Sequence, residues 1–417
     1  MPGTGAPVTS GSALAGFPAT FWWVWAATLV NRLGGFVVAF LALYLTLERH
    51  SSASFVGLVV ALYGLGGVLG NLIGGVLSDR LGRRITLLVA QLATAVTTVA
   101  LGHSTAPVVI AVVAFSVGMA SNASRPAISA IIADIIPAPD RARAFALNFW
   151  AINLGFGVSA ALAGLVAERS FLPLFYGEAA ASLLTAAAVL IRVPETRPAA
   201  ESSGIEGSPA PPETHRYSIA SVLRDRPFMS LVVITWAVCL TYHQANSTLA
   251  FRMGRHGFTP AQYGLTVGVN GFVVVLLQLP VTRLVQGVDR RLVLMLAAML
   301  TGGGFGLVAF AYTAPAYAGT VVVWTLGEIL LAPAAMAVAS EMAPVAARGR
   351  YLGIYALAYA GAAFAGPAFG GALTDWYGDG AVWAGCALVG VLAAVGYGRL
   401  AGAGTPAVAL TSGSPGA

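Results

Sequence analysis

Twelve apolar runs of about twenty residues or more follow one another along the chain, separated by short polar breaks. They cover about residues 20–47, 53–78, 84–103, 107–132, 144–167 and 171–192, then 228–251, 261–284, 292–312, 317–340, 350–374 and 381–402. A helix needs about 20 mostly apolar residues to cross the hydrocarbon core, whereas a barrel strand needs about 10. The runs fit the helix and show no competing alternation. The chain is therefore expected to be an all-α membrane protein of twelve spans, numbered below in chain order.

Composition excludes the soluble alternatives. Charged residues make up 9% of the 417, hydrophobic ones 58%, and mean hydropathy is +0.81. An ordinary soluble domain carries about 25% charge, so this chain has too little to cover a water-facing surface. A soluble enzyme, a nucleic-acid binder and a disordered scaffold are set aside. The net charge of +6 is carried by thinly spread Arg, with no Lys, and leaves no nucleic-acid footprint. Cys239 and Cys386 lie inside apolar runs, without disulfide or metal-ligand spacing. No metal and no organic cofactor is expected.

The one long polar stretch, residues 193–227, is rich in Glu, Pro, Ser and Gly. That is a linker composition. It divides the chain into an N-terminal tail (1–19), a first six-helix bundle (20–192), the linker, a second six-helix bundle (228–402) and a C-terminal tail (403–417). Met1–Ala19 has no basic residue ahead of the first apolar run, unlike a cleaved signal peptide. Of the 22 Arg, 16 fall on the side of the linker and both tails, 4 on the opposite side, and Arg32 and Arg125 inside spans. The positive-inside bias places both termini and the linker in the cytoplasm, in a multi-pass protein of the cell membrane.

The halves are repeats of one another. A gapless shift of 207 residues lays Gly57-Leu58 on Gly264-Leu265, Gly64 on Gly271, Arg83-Arg84 on Arg290-Arg291, Pro126 on Pro333, Asp134 on Glu341, Pro137 on Pro344, Arg141 on Arg348 and Gly164 on Gly371. Parallel repeats of six spans are one layout of secondary transporters.

Residues 75–84, between spans 2 and 3, read Gly-Val-Leu-Ser-Asp-Arg-Leu-Gly-Arg-Arg. This resembles the loop motif of the major facilitator superfamily, G-x-x-x-D-[RK]-x-G-[RK]-[RK], at every motif position: Gly75, Asp79, Arg80, Gly82, Arg83 and Arg84. The 6 + 6 count, the central linker and Pro194-Glu195-Thr196 after span 6 extend the resemblance over the membrane region. It implies that Asp79 caps the start of span 11 near Gly349 and that Arg83 pairs with Asp134, forming a conformational latch. A carboxylate at a helix N-terminus is worth up to about 1 kcal/mol. The second repeat keeps Asp289-Arg290-Arg291 but has Gln286 in the Asp position, so the latch is expected to be degenerate there. The antiporter motif G-P-x-x-G-G is intact in span 11 (Gly366-Pro367-Ala-Phe-Gly370-Gly371). In span 5 it is altered to Ser159-Ala160, and the span 4 motif R-x-x-x-G keeps Gly118 with Ala114 in place of Arg.

Ionisable groups at mid-depth cost about 2.5–3.5 kcal/mol each, so they face a partner or a cavity. Four positions qualify: Arg32 beside Asn31 in span 1, Arg125 one turn from Asn122 in span 4, His243 in span 7 and Glu328 in span 10. In the resembled superfamily, spans 1, 4, 7 and 10 line the central cavity. Glu328 is the one acid near the middle of any span, and a carboxyl withdrawn from water takes up protons more readily; the shift lays it on Ser121. Glu178 in span 6 lies nearer one end, where snorkelling or helix capping is expected. Trp150 and Asn153 on span 5 and Tyr355 and Tyr359 on span 11 are further candidates to shape the pocket, and plain packing also explains them.

Gly327-Glu328, with Pro333 and Ala343-Pro344 beyond, also resembles span 10 of proton-dependent oligopeptide transporters, and Ile152-Asn153-Leu154-Gly155 resembles their span 5. Their span 1 motif E-x-x-E-R falls on Thr28-x-x-Asn31-Arg32, where the Arg remains and both acids are gone. The sequence thus points to a secondary transporter of a small organic solute, working as a monomer in the lipid bilayer with the proton as coupling ion. Export of drug-like compounds is the first reading and import of peptides or similar zwitterions the second. An intramembrane enzyme would need paired catalytic groups, and no His-x-x-x-His, Gly-x-Gly-Asp or Gly-x-Ser-x-Gly run lies in a span. A receptor would need neither the repeat nor the mid-depth charges.

Overall fold

The structure, a computed structural model, describes residues 16–196, 219–344 and 347–400. Most of the expected N-terminal tail, linker residues 197–218 and the C-terminal tail lie outside the described residues. The described residues are helical, with no strand among them. Among the described residues, eleven helices are long and apolar enough to cross a membrane: Ala53–Leu81, Arg83–His103, Pro107–Ile135, Arg143–Ala167, Leu172–Arg192, Arg226–Arg255, Pro260–Leu284, Arg290–Phe310, Ala314–Met342, Arg348–Tyr377 and Asp379–Leu400. They correspond to expected spans 2–12.

Span 1 departs from the expected continuous run. It forms two helices, Ala19–Leu33 and Val37–Leu47. The interruption falls at Gly34-Gly35, where two successive residues without a Cβ weaken helix propagation. Span 7 is also interrupted: the helix Arg226–Tyr242 passes through a 3₁₀ turn, His243–Asn246, before resuming at Thr248. Under the 207-residue shift, Phe36 falls on His243, so both first spans break at equivalent positions. Broken helices are tolerated at membrane depth only where other groups satisfy the freed backbone, and in transporters they mark binding regions.

Capping fixes several other boundaries. Thr259 and Gln262 form a reciprocal capping box at the start of span 8, and Thr313 caps span 10. Asp225 accepts from the Phe228 amide at the start of span 7 and from the Tyr351 hydroxyl at 2.8 Å.

The described residues fall into two compact units. One comprises the chain up to Phe40 and from Leu62 through span 6; the other comprises Leu41–Ala61 with spans 7–12. In the first, Gly66, Gly70 and Gly74 recur every fourth residue on span 2. A Cβ at any of them would collide with the backbone of Phe115, Met119 or Ala123 on span 4. Such small-residue faces let helices approach closely where lipid supplies no hydrophobic drive.

In the second unit, Gly57 meets Pro367 and Gly371 of span 11 in the same way, and Gly302 of span 9 meets Gly390 of span 12. Both carboxylate oxygens of Asp375 accept backbone amides at the start of span 2, from Ala53 at 3.2 Å and Ser54 at 2.8 Å. These contacts explain why Leu41–Ala61 packs with spans 7–12.

Candidate functional site

Within the first unit, four side chains from four spans come within electrostatic reach of one another: Arg32, Tyr63, Arg125 and Glu178. Arg32 stands in the last turn of the first helix of span 1, and its stem lies against Gly155 of span 5, where a Cβ would collide. The Tyr63 hydroxyl on span 2 is 3.3 Å from the Ser121 hydroxyl on span 4. Among the described residues, neither Arg32 nor Arg125 forms a salt bridge. Each guanidinium carries five donors and no acceptor. The neighbouring amides are already engaged: Asn31 donates to Gln91 of span 3 at 2.9 Å, and Asn122 donates to the Gly118 carbonyl at 2.9 Å.

Glu178 is buried, and its Oε2 accepts the Val37 amide at 2.7 Å, the first amide of the second helix of span 1. It therefore caps a helix, one of the two roles expected for it. The cap lies inside the membrane on another span.

Within the second unit, Glu328 is the centre. Its carboxylate accepts from the Asn270 amide of span 8 at 2.8 Å, with the Tyr242 hydroxyl of span 7 nearby. Asn270 also donates to the Thr325 hydroxyl at 3.0 Å. An aromatic wall stands beside this network: Tyr242 meets Trp324 edge-on at 5.9 Å and His243 at 5.6 Å, and Trp324 stacks on Phe305 at 5.2 Å. His243 lies at the break in span 7, close to Gly366 of span 11. Tyr355 and Tyr359 face each other, hydroxyl to hydroxyl at 3.3 Å.

Other candidates are placed more plainly. The Asn153 amide is spent on the Phe149 carbonyl of its own helix at 2.9 Å, and Trp150 is exposed. Cys239 and Cys386 are buried and free. Among the described residues, no group of three His, Cys, Asp or Glu is arranged to hold a metal.

The loop between spans 2 and 3 forms a network. Arg83 Nε donates to Asp134 at 3.2 Å, and Arg83 lies 3.5 Å from Asp79, whose side chain is exposed. Arg84 donates to the Leu190 carbonyl. Gly82 has φ +103°, a backbone that favours glycine, so position 82 supplies no capping side chain. Glu195 supplies one instead, accepting the Arg83 amide at 2.9 Å and the Arg84 amide at 3.1 Å. Thr196 donates to Asp134 at 3.2 Å. The Pro194-Glu195-Thr196 segment thus caps span 3.

The second repeat is less degenerate than its Gln286 implied. Arg290 pairs with Glu341, at the positions equivalent to Arg83 and Asp134. Asp289, equivalent to Gly82, caps span 9 itself by accepting the Arg291 amide at 2.9 Å. The basic–acidic pair is kept, and the cap moves from a distant Glu to a local Asp.

Sequence reasoning missed Tyr63, Asn270 and Gln91, and it named Glu195 only within the Pro194-Glu195-Thr196 segment, without its capping role. The repeat contained a signal for two of them: Tyr63 and Asn270 are equivalent under the 207 shift, as are Ser121 and Glu328. The pairs Tyr63–Ser121 and Asn270–Glu328 therefore bridge the same two positions in each half.

The sequence model of the Major Facilitator Superfamily matches residues 24–258 and 245–411. The chain belongs to this superfamily. It is similar to the uncharacterized MFS-type transporter YttB of Bacillus subtilis (strain 168), 28% identical over 349 residues, 81% of this chain and 83% of that protein. A Na(+), Li(+), K(+)/H(+) antiporter of Planococcus maritimus is 24% identical, covering 82% of this chain and 86% of its own. Multidrug resistance protein 1 of Bacillus subtilis (strain 168) is 29% identical over 190 residues, 43% of this chain and 48% of its own. Among solved structures, a POT family transporter in complex with 5-aminolevulinic acid shares the fold, with TM-score 0.74, 15% identity, 92% of this chain and 96% of that one. The protein is a multi-pass membrane transporter of the superfamily fold.

Proposed function

We propose that the protein is a proton-coupled exporter of small organic, drug-like solutes, working by alternating access in the cytoplasmic membrane with both termini cytoplasmic. One observation carries the coupling: the Glu328 carboxylate is held by a neutral donor, Asn270, with the Tyr242 hydroxyl nearby and no salt bridge among the described residues. A carboxylate held only by neutral donors has no cation bonded to it to favour its ionised form, so it takes a proton more readily than one salt-bridged to an Arg. The aromatic wall of Tyr242, Trp324 and Phe305 offers the apolar, π-rich surface that drug-like molecules need. Arg32 and Arg125 in the first repeat provide donors for a polar or anionic group. The multidrug resistance relative supports export, and the cation/proton antiporter supports proton exchange.

A second reading is proton-coupled import of peptides or similar zwitterions. It is favoured by Arg32 and Arg125 of the first unit, which form no salt bridge among the described residues and suit the carboxylate of such a solute. The likeness to the POT fold supports it.

Each repeat uses its own groups, so a monomer carries everything the cycle needs. The test is proton movement in proteoliposomes, with ethidium and a quinolone as export probes and dialanine as the import probe. Ethidium- or quinolone-driven proton movement that is lost in Glu328→Gln supports the first reading. Dialanine-driven movement alone supports the second, and movement unchanged by Glu328→Gln sinks the coupling assignment.

A further inference from the structure

The break in span 1 lies against span 6. After Leu33 the chain turns through Gly34-Gly35, with the Gly34 amide on the Val30 carbonyl at 3.1 Å, the Gly35 amide on Arg32 at 3.2 Å and the Phe36 amide on Gly34 at 2.8 Å. Val37 then begins a new helix, and its amide is one of the donors that a helix start leaves without an internal partner. Span 6 meets this turn with three residues. Gly177 lies against the Phe36 ring, Glu178 accepts the Val37 amide, and a Cβ on Gly34 would collide with Ala181.

The charged and titratable groups around Glu178 are few. Arg32 faces it from span 1 and Tyr63 from span 2, with Arg125 of span 4 beyond, acting on Arg32. His103 of span 3 is engaged with the Tyr176 hydroxyl at 2.8 Å, and span 5 meets Arg32 with Gly155. An ionised Glu178 therefore does two things at once. It makes a charge-assisted bond to a helix N-terminus, and it offsets Arg32. Protonation removes the charge behind both.

The equivalent break in span 7 is built differently. Gln244, which the shift lays on Val37, holds that turn through its own amide. It donates to Leu240 at 3.0 Å and to Gly366 at 2.8 Å, and accepts from Thr248 at 2.7 Å. An amide does not titrate in the physiological range. The position equivalent to Glu178 is Gly385, so the acid belongs to the first repeat alone.

We propose that Glu178 is a second proton-binding carboxylate of the transport cycle, and that its protonation releases the Val37 amide at the start of the second helix of span 1. The inference rests on the proton-coupled reading above and adds a site to it. The step is a simple proton transfer: the carboxylate takes one proton from hydronium in the bulk solution, the charged cap at Val37 weakens, and the negative charge near Arg32 is lost. Loss of the proton restores the cap.

Hydrogen–deuterium exchange on the full chain in lipid nanodiscs, without any transported compound, tests this. After correction for the chemical exchange rate, protection of residues 36–40 in wild type is expected to fall roughly tenfold between about pH 8 and about pH 5, with span 3 peptides unchanged as reference. Glu178→Gln, which keeps the volume and one acceptor, should show the low protection at both values. Glu178→Asp should keep the pH dependence, which guards against a Gln variant that fails to fold. A wild-type segment insensitive to pH, or a Gln variant that retains the response, overturns the proposal. So does ethidium-driven proton movement in Glu178→Gln at wild-type stoichiometry. If wild type moves no protons with any probe, the coupling reading fails separately, and the exchange result still decides whether Glu178 controls the break.

Discussion

Asn270 donates to Glu328 at 2.8 Å across spans 8 and 10, at the same two repeat positions where Tyr63 and Ser121 lie 3.3 Å apart across spans 2 and 4. Duplication kept the bridge and changed its chemistry. One copy holds a carboxylate that can change charge, and the other holds two hydroxyls that cannot do so near neutrality. Asn270→Ala is therefore expected to leave a folded protein whose Glu328 has lost a charge-orienting donor, about 1.5–3 kcal/mol of interaction. Proton movement with ethidium should shift along the pH axis without being abolished; an unaltered pH profile would count against a role for Asn270.

The cap on span 3 is supplied from the far side of span 6. Glu195→Ala removes acceptors from both the Arg83 and Arg84 amides, and about 1 kcal/mol of stability should go with them. Because these bonds are exposed, the loss should be seen mainly as faster amide exchange in residues 83–87 and as a small drop in Tm. If protection there stays at wild-type level, the cap contributes nothing in solution.

Gly82 stands at φ +103°. A Cβ at this position would also press on the Glu195 carboxylate. Gly82→Ala is expected to cost about 1–2 kcal/mol through backbone strain. Combining it with Glu195→Ala should cost less than the sum of the two, since the variants share the Glu195 contact. Strict additivity in thermal unfolding would show the two to be independent.

Arg252 is buried at the end of span 7, where it meets Asp379, the Tyr317 hydroxyl at 2.9 Å and the Ala309 carbonyl at 3.1 Å. Removing one partner of such a network leaves the other uncompensated, at about 3 kcal/mol. Arg252→Ala should lower Tm markedly, and Arg252→Met with Asp379→Leu should recover much of the loss. Failure of the paired change to recover stability would mean that Arg252 acts through packing.

The loop and the mid-depth charges were legible in the sequence for different reasons. Gly75–Arg84 is contiguous, so its residue types and spacing sit together on the chain, and the Arg83–Asp134 pair follows from the resemblance. Arg32, Arg125, His243 and Glu328 stood out because charge is so scarce in the spans. Their partners did not stand out. Tyr63 and Asn270 are unremarkable residues in apolar helices, and only packing between spans brings them to a charge.

The sequence by itself determined the all-helical membrane fold, because a run of about 20 apolar residues has one stable solution in lipid. It also determined the repeat, the family and which charges stand within the apolar runs. The tertiary structure decided where the helices fail. Span 1 reads as one apolar run, since hydropathy averages over a window and is blind to a two-residue glycine interruption. The break at Gly34-Gly35 holds because a carboxylate 141 positions away in the chain reaches the freed Val37 amide. Satisfying a backbone donor inside a membrane is a requirement on neighbours in space, and linear order does not carry it.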